Sequence, residues 1–99
     1  MKATGGLMID KNSLEWELWK DAYKVRDELT PPPEYSQSGD YWKEALEKTN
    51  EVNNKYKDTY LKALSENIFM GIILQLEEES KAKEQIQSII KGVADKLTG

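Results

Sequence analysis

Apolar residues recur along this chain at helical spacing, but the width of the apolar arc changes from one segment to the next. Leu14, Leu18, Ala22, Val25 and Leu29 step by three or four positions and share one face of a helix. Trp16, Trp19 and Tyr23 lie on the adjoining flank, so the combined arc is too broad for a single neighbouring helix. Either this helix is wedged between two others, or the flank is partly exposed as an aromatic anchor for a partner. In the second segment Trp42, Ala45, Leu46, Thr49, Val52 and Tyr56 make one narrow stripe opposite Lys and Glu. The third segment, from Thr59, carries a main stripe of Leu61, Leu64, Ile68, Ile72 and Leu76. Phe69, Met70, Ile73 and Leu74 fill the rest of its circumference. A helix that is apolar all round is expected to be buried all round. This one should be the central element, with Gly71 marking a close approach by a neighbour.

The first two segments are related. Trp19-Lys20-Asp21-Ala22-Tyr23, followed by Asp27-Glu28-Leu29, repeats as Trp42-Lys43-Glu44-Ala45-Leu46, followed by Asn50-Glu51-Val52. Trp, Ala and the residue after Ala fall at i, i+3 and i+4. Two similar amphipathic helices follow, each burying a Trp beside a small residue. The first helix starts near Asn12 or Ser13, and Asn12 with Glu15 fits a capping box. Pro31-Pro32-Pro33 ends it, because proline donates no hydrogen bond and pushes Thr30 out of the helical region. The prolines predict a stiff polyproline II connector to a second helix capped by Ser38 or Asp40.

Beyond a polar stretch from Glu77 to Gln85, a further strip appears: Ile86, Ile89, Ile90, Val93 and Leu97. At 100° per residue it shares a face with the stripe before it, and no proline intervenes. The pattern predicts one helix from Thr59 to about Leu97, roughly 58 Å long. The two shorter helices span only about 25 Å each, so half of the long one lacks cover within the chain. Two chains could pair along the strip, most simply antiparallel, or the tail could fold back as a fourth helix. The unbroken phase favours pairing. The fold class expected is therefore all-α: two similar helices packed on a long third. Residues 1–11 form a leader, 12–80 the three-helix core, and 81–99 a helical extension.

Composition narrows the chemistry. Among 99 residues there is neither Cys nor His. Disulfides, thiolate nucleophiles and the commonest metal ligand and general base are therefore absent. A net charge of −4, with no concentrated basic face, argues against nucleic-acid binding. The run Glu77-Glu78-Glu79 reads as solvated charge, because three consecutive helix residues diverge instead of converging on an ion. No apolar run approaches a membrane span, and residues 1–10 do not resemble a secretory signal, so a cytoplasmic setting is expected. No glycine-rich phosphate loop, nucleophile motif or metal signature occurs, and no cofactor is expected.

From Trp16 to about Ser80 the chain resembles small uncharacterised helical proteins of Firmicutes genomes and their prophages. Trp19-Lys20-Asp21-Ala22-Tyr23, Tyr41-Trp42, Lys55-Tyr56 and the apolar helix from Ile68 to Leu76 carry the resemblance. It implies a mobile-element setting and transfers no catalytic residue. The proline connector and everything from Lys81 onward depart from that pattern. The expected function is thus non-enzymatic: a small acidic protein that binds a host or phage protein, such as a nuclease or defence complex. Trp16, Trp19 and Tyr23 would meet the partner, and Ile86, Ile89, Ile90, Val93 and Leu97 would join two copies. The alternative is a ligand-binding bundle or small enzyme using Tyr, Asp and Glu in a pocket between helices.

Overall fold

A computed structural model describes Asp10 and residues 12–98. Apart from Asp10, the expected leader lies outside the described residues, as does Gly99. Three α-helices follow one another: α1 (Leu14–Leu29), α2 (Tyr41–Tyr56) and α3 (Lys62–Thr98). A single 3-10 turn, Tyr35–Gln37, sits in the connector between α1 and α2. The all-α class and the packing of two short helices on a long third are as the pattern predicts. The fold-back alternative is not adopted, because α3 runs without a break to Thr98.

Cross-helix pairs set the directions. Lys48 meets Glu28 and Lys55 meets Asp21, so α1 and α2 are antiparallel. Ser65 Oγ donates to Asn53 Oδ1, while Leu46 and Ile73 border the same groove, so α2 and α3 are antiparallel too. The bundle is up, down and up. Its core comprises Leu18, Ala22, Val25 and Leu29 from α1, Ala45 and Tyr56 from α2, and Phe69 and Leu76 from α3. Leu61, just before α3, closes one end. Burying each large apolar side chain contributes about 1.5–3 kcal/mol.

Several details differ from the sequence pattern. Of the two starts the pattern offers for α1, Ser13 is the cap, its Oγ accepting from the Trp16 N–H at 3.1 Å. Glu15 does not complete a capping box; its carboxylate accepts from Trp19 Nε1 at 3.1 Å instead. Asp40 occupies the cap position of α2 without a side-chain bond. The repeated motif buries its alanines and Leu29, but neither Trp in full. Trp19 is exposed and Trp42 half-buried, while Tyr23 and Leu46 both face outward. From Leu61 into α3 the deepest line is Leu61, Ser65, Phe69, Leu76 and Ser80, turned from the expected stripe; Leu64, Ile68 and Ile72 are only half-buried. The helix is not covered all round, since Met70 and Leu74 are exposed. Gly71 meets no neighbour, for a Cβ built there would have nothing within 4 Å. Two helices can cover only two sides of a third, and α3 keeps an open side.

The connector also departs from a free-standing rod. The Thr30–Pro31 peptide is cis and Pro32 is buried. Ser80 Oγ donates to the Pro33 carbonyl and Lys83 Nζ to the Pro32 carbonyl. Glu84 accepts from the Ser36 N–H at 2.7 Å. Tyr35 packs against Trp42, and Lys81 Nζ sits 5.2 Å from the Tyr35 ring centroid. The connector is thereby bound to α3 over Ser80–Glu84. Beyond that point, among the described residues, no other helix packs on α3, which runs about 20 Å past the bundle at 1.5 Å per residue.

Candidate interaction surfaces

The residues expected to join two copies all project into solvent. Ile86, Ile89, Ile90 and Val93 are each more than half exposed, and Leu97 is 81% exposed. They stand on the overhanging part of α3, in helical phase with Ile68, Ile72 and Glu79. At its base the strip enters a groove of about 430 Å³ lined by Arg26, Thr30, Pro31, Ala82, Lys83 and Ile86, among others. The prolines form one wall and the side chains of α3 the other.

The aromatic flank of α1 is open as well. Tyr23 is 69% exposed and Trp19 40% exposed, whereas Trp16 is half-buried. Their i, i+3, i+7 spacing keeps the three on one face. A shallow depression beside Tyr23 is lined by Arg26, Asp27 and Thr30. Arg26 and Thr30 also border the groove at the base of the strip. The two surfaces expected from sequence therefore adjoin through these two residues, a juxtaposition the sequence did not reveal. A third apolar area lies between α2 and α3, where exposed Leu46 and Met70 flank a groove floored by Phe69 and Ile73.

Polar bonds fix the frame on which these surfaces stand. Arg26 forms a two-pronged pair with Glu79, Nη1 to Oε1 at 2.9 Å and Nη2 to Oε2 at 2.6 Å. Gln75 adds a third bond to that carboxylate. These bonds, Arg26 foremost, hold the Glu79 carboxyl below its ordinary value and raise the Arg26 guanidinium. Glu79 is thus tied to α1, contrary to the expectation of merely solvated charge. Pairing of this geometry is what a guanidinium offers a carboxylate. Glu84 is lowered too, by hydrogen bonds from Ser36.

A second set joins α1 to α2. The Tyr56 hydroxyl donates to Asp21 Oδ2 at 2.5 Å, and Lys55 Nζ reaches Asp21 at 3.0 Å and Glu17 at 3.2 Å. Tyr56 is fully buried, and burial, then its bond to Asp21, drives the phenol well above its ordinary value. Tyr41 hydroxyl donates to the Leu29 carbonyl at 2.5 Å, taking up an acceptor at the end of α1. The Trp42 Nε1 hydrogen is buried without an acceptor among the described residues.

The groove between α1 and α2 holds Asp21, Glu28 and Glu51, but Lys24 and Lys48 stand among them. Among the described residues no group of three or more Asp or Glu could hold a metal ion. Among them, too, no helix is long and apolar enough to cross a membrane. Comparison with protein-family models, with curated proteins and with solved structures returns no match.

Proposed function

We propose that this chain is a non-enzymatic interaction protein that pairs with a second copy through its tail and binds a protein partner through the aromatic flank of α1. One observation carries the reading: a line of five apolar side chains, from Ile86 to Leu97, held in solvent on a helix that outruns its bundle. Burying such residues contributes about 1.5–3 kcal/mol each before association costs. Five of them in one line make a surface suited to cover by a partner. Trp19 and Tyr23 add the residue types that dominate binding hot spots. In the mobile-element setting that the prophage resemblance implies, and in the cytoplasm, the partner is a host or phage protein, and the sharper form is modulation of a nuclease or defence complex. The net charge of −4 suits a protein target over nucleic acid.

Two measurements test this. Light scattering should give twice the chain mass at high micromolar concentration; a monomer there removes the pairing half of the proposal. The protein immobilised through its N terminus should retain one stoichiometric partner from a host lysate. That partner should be lost with Trp19→Ala and Tyr23→Ala together. A partner retained equally by that variant removes the flank from the proposal, and no partner at all removes the binding half.

A further inference from the structure

We infer that a second copy on the tail and a protein partner on the aromatic flank exclude one another, so that pairing acts as a removable cover and the partner binds the unpaired chain. The inference rests on the two surfaces proposed above and adds the rule that connects them. Neither the direction of pairing nor its register matters, provided that Ile86 is covered.

Whatever covers Ile86 continues the line of α1. Glu79 and Ile86 stand seven residues apart on α3 and so share a face. That face already carries α1, because Arg26 is bonded to Glu79 through both of its terminal nitrogens. A helix laid over Ile86 therefore meets the end of α1 at Thr30 and Pro31, in the groove that those residues line with Arg26.

A partner on the flank reaches the same place. A stable protein interface covers about 800 Å² on each side, a patch about 16 Å in radius. Thr30 lies seven residues beyond Tyr23, about 10 Å at the helical rise. A partner centred on Tyr23 thus extends over Thr30 and into the space that a second copy takes. The lining residues show the same overlap. Arg26 and Thr30 border both the depression beside Tyr23 and the groove at Ile86.

Two occupants could share this place only if the surfaces moved apart, and hydrogen bonds hold them together. Glu79 accepts from Arg26 and from Gln75. The Thr30 hydroxyl donates to the Arg26 carbonyl at 2.7 Å, and Lys83 ties the proline wall to α3. A partner then meets only the unpaired fraction, so its apparent affinity falls in proportion as concentration drives pairing.

Because the chain has no cysteine, one introduced thiol can carry a bulky group in the partner's place. Asp27→Cys sets it beside Tyr23 but outside the groove at Ile86. Asn54→Cys is the control, in the last turn of α2, where the neighbouring Asn53 accepts from Ser65, about 30 Å from Ile86 along α3. Both positions are exposed. Each variant is coupled to a small polyethylene glycol maleimide, and its mass is followed by light scattering over the concentrations at which the uncoupled variant pairs. The group at position 27 should weaken pairing about tenfold or more, and the group at position 54 should leave it unchanged, with helical circular dichroism retained in both. Tyr23→Cys, at a position 69% exposed, repeats the measurement at the centre of the flank. Equal pairing of the coupled flank and control variants means that the surfaces act independently; it overturns this inference and leaves the pairing proposal intact. Equal weakening of both means that position is immaterial and overturns it likewise. Uncoupled protein that stays monomeric at high micromolar concentration removes the pairing itself, and this inference with it.

Discussion

Up to Ser80, Leu61 and then Ser65, Phe69, Leu76 and Ser80 of α3 point inward against α1, α2 and the connector. After it, Ile86, Ile89, Ile90, Val93 and Leu97 keep the helical spacing and are all exposed. The tail is the more aliphatic of the two lines, yet the line with two serines is the one that is buried. Apolar content does not decide burial here; cover does. Ser65 and Ser80 are tolerated inside because each hydroxyl has an acceptor, Asn53 Oδ1 and the Pro33 carbonyl. The isoleucines remain outside because, among the described residues, no other element reaches α3 beyond the connector.

The sharpest way to break this contrast is to make the tail polar. Replacing Ile86, Ile90 and Val93 with Glu should abolish pairing while the bundle stays folded, read as a monomer mass with helical circular dichroism retained. Loss of the folded bundle in that variant would mean that the two regions are one cooperative unit. The converse change is Leu18→Ala, which opens a cavity at a fully buried position. It should cost about 2–5 kcal/mol in denaturant unfolding and leave the mass by light scattering unchanged. Tyr56→Phe keeps the packing but removes the donor to Asp21. A loss of about 1.5–3 kcal/mol is expected; no loss would show that Lys55 alone satisfies Asp21.

Glycine replacements sharpen the same contrast in the stabilising direction. Gly71 and Gly92 lie within α3, and an added Cβ at either would meet nothing within 4 Å. Gly71→Ala should raise bundle stability by about 0.5–1 kcal/mol. Gly92→Ala should act on the tail, visible as stronger helical signal and tighter pairing. The smallest effect is electrostatic. Glu79 has a lowered folded-state value because of Arg26, so its pairing stabilises the fold above the ordinary carboxylate value of 4.5. That contribution disappears as pH falls through the lowered value. Both partners are about a third exposed, so the contribution is about 1 kcal/mol or less. Glu79→Gln should remove that part of the acid dependence, measured as unfolding free energy against pH from 7 downward.

The helix count, the stripe on α1, the continuity of α3 and the exposed tail were legible because each depends on spacing along one helix. What the sequence concealed depends on contacts between helices. Phe69 and Leu76 line the core with Ser65 and Ser80 because the connector and Asn53 supply acceptors, and no residue pattern on α3 announces those acceptors. Serines in phase with Leu61, Phe69 and Leu76 were the available signal. Gly71 was read as a close approach because two helices were expected to surround α3; its side of the helix is open. Glu79 looked like one of three solvated acids, and only the position of Arg26 on α1, 53 residues earlier, sets it apart. The adjoining of Tyr23 and the tail groove arises in the same way, through Arg26 and Thr30, and the binding roles assigned to those surfaces rest on the experiments above.

The proline segment also governs how the long helix comes apart. A helix frays from its free end, one turn after another, until something outside the helix holds it. In α3 that hold is at Ser80 and Lys83, where side chains bond the Pro33 and Pro32 carbonyls. Amide hydrogen exchange along α3 should therefore fall in two steps. In dilute protein, amides beyond about Ile86 exchange at rates near those of an unstructured chain, while those before Ser80 exchange only through opening of the bundle. Concentrating the protein should protect the outer amides alone, so that the proline clamp becomes a visible boundary between stability encoded within one chain and stability borrowed from another.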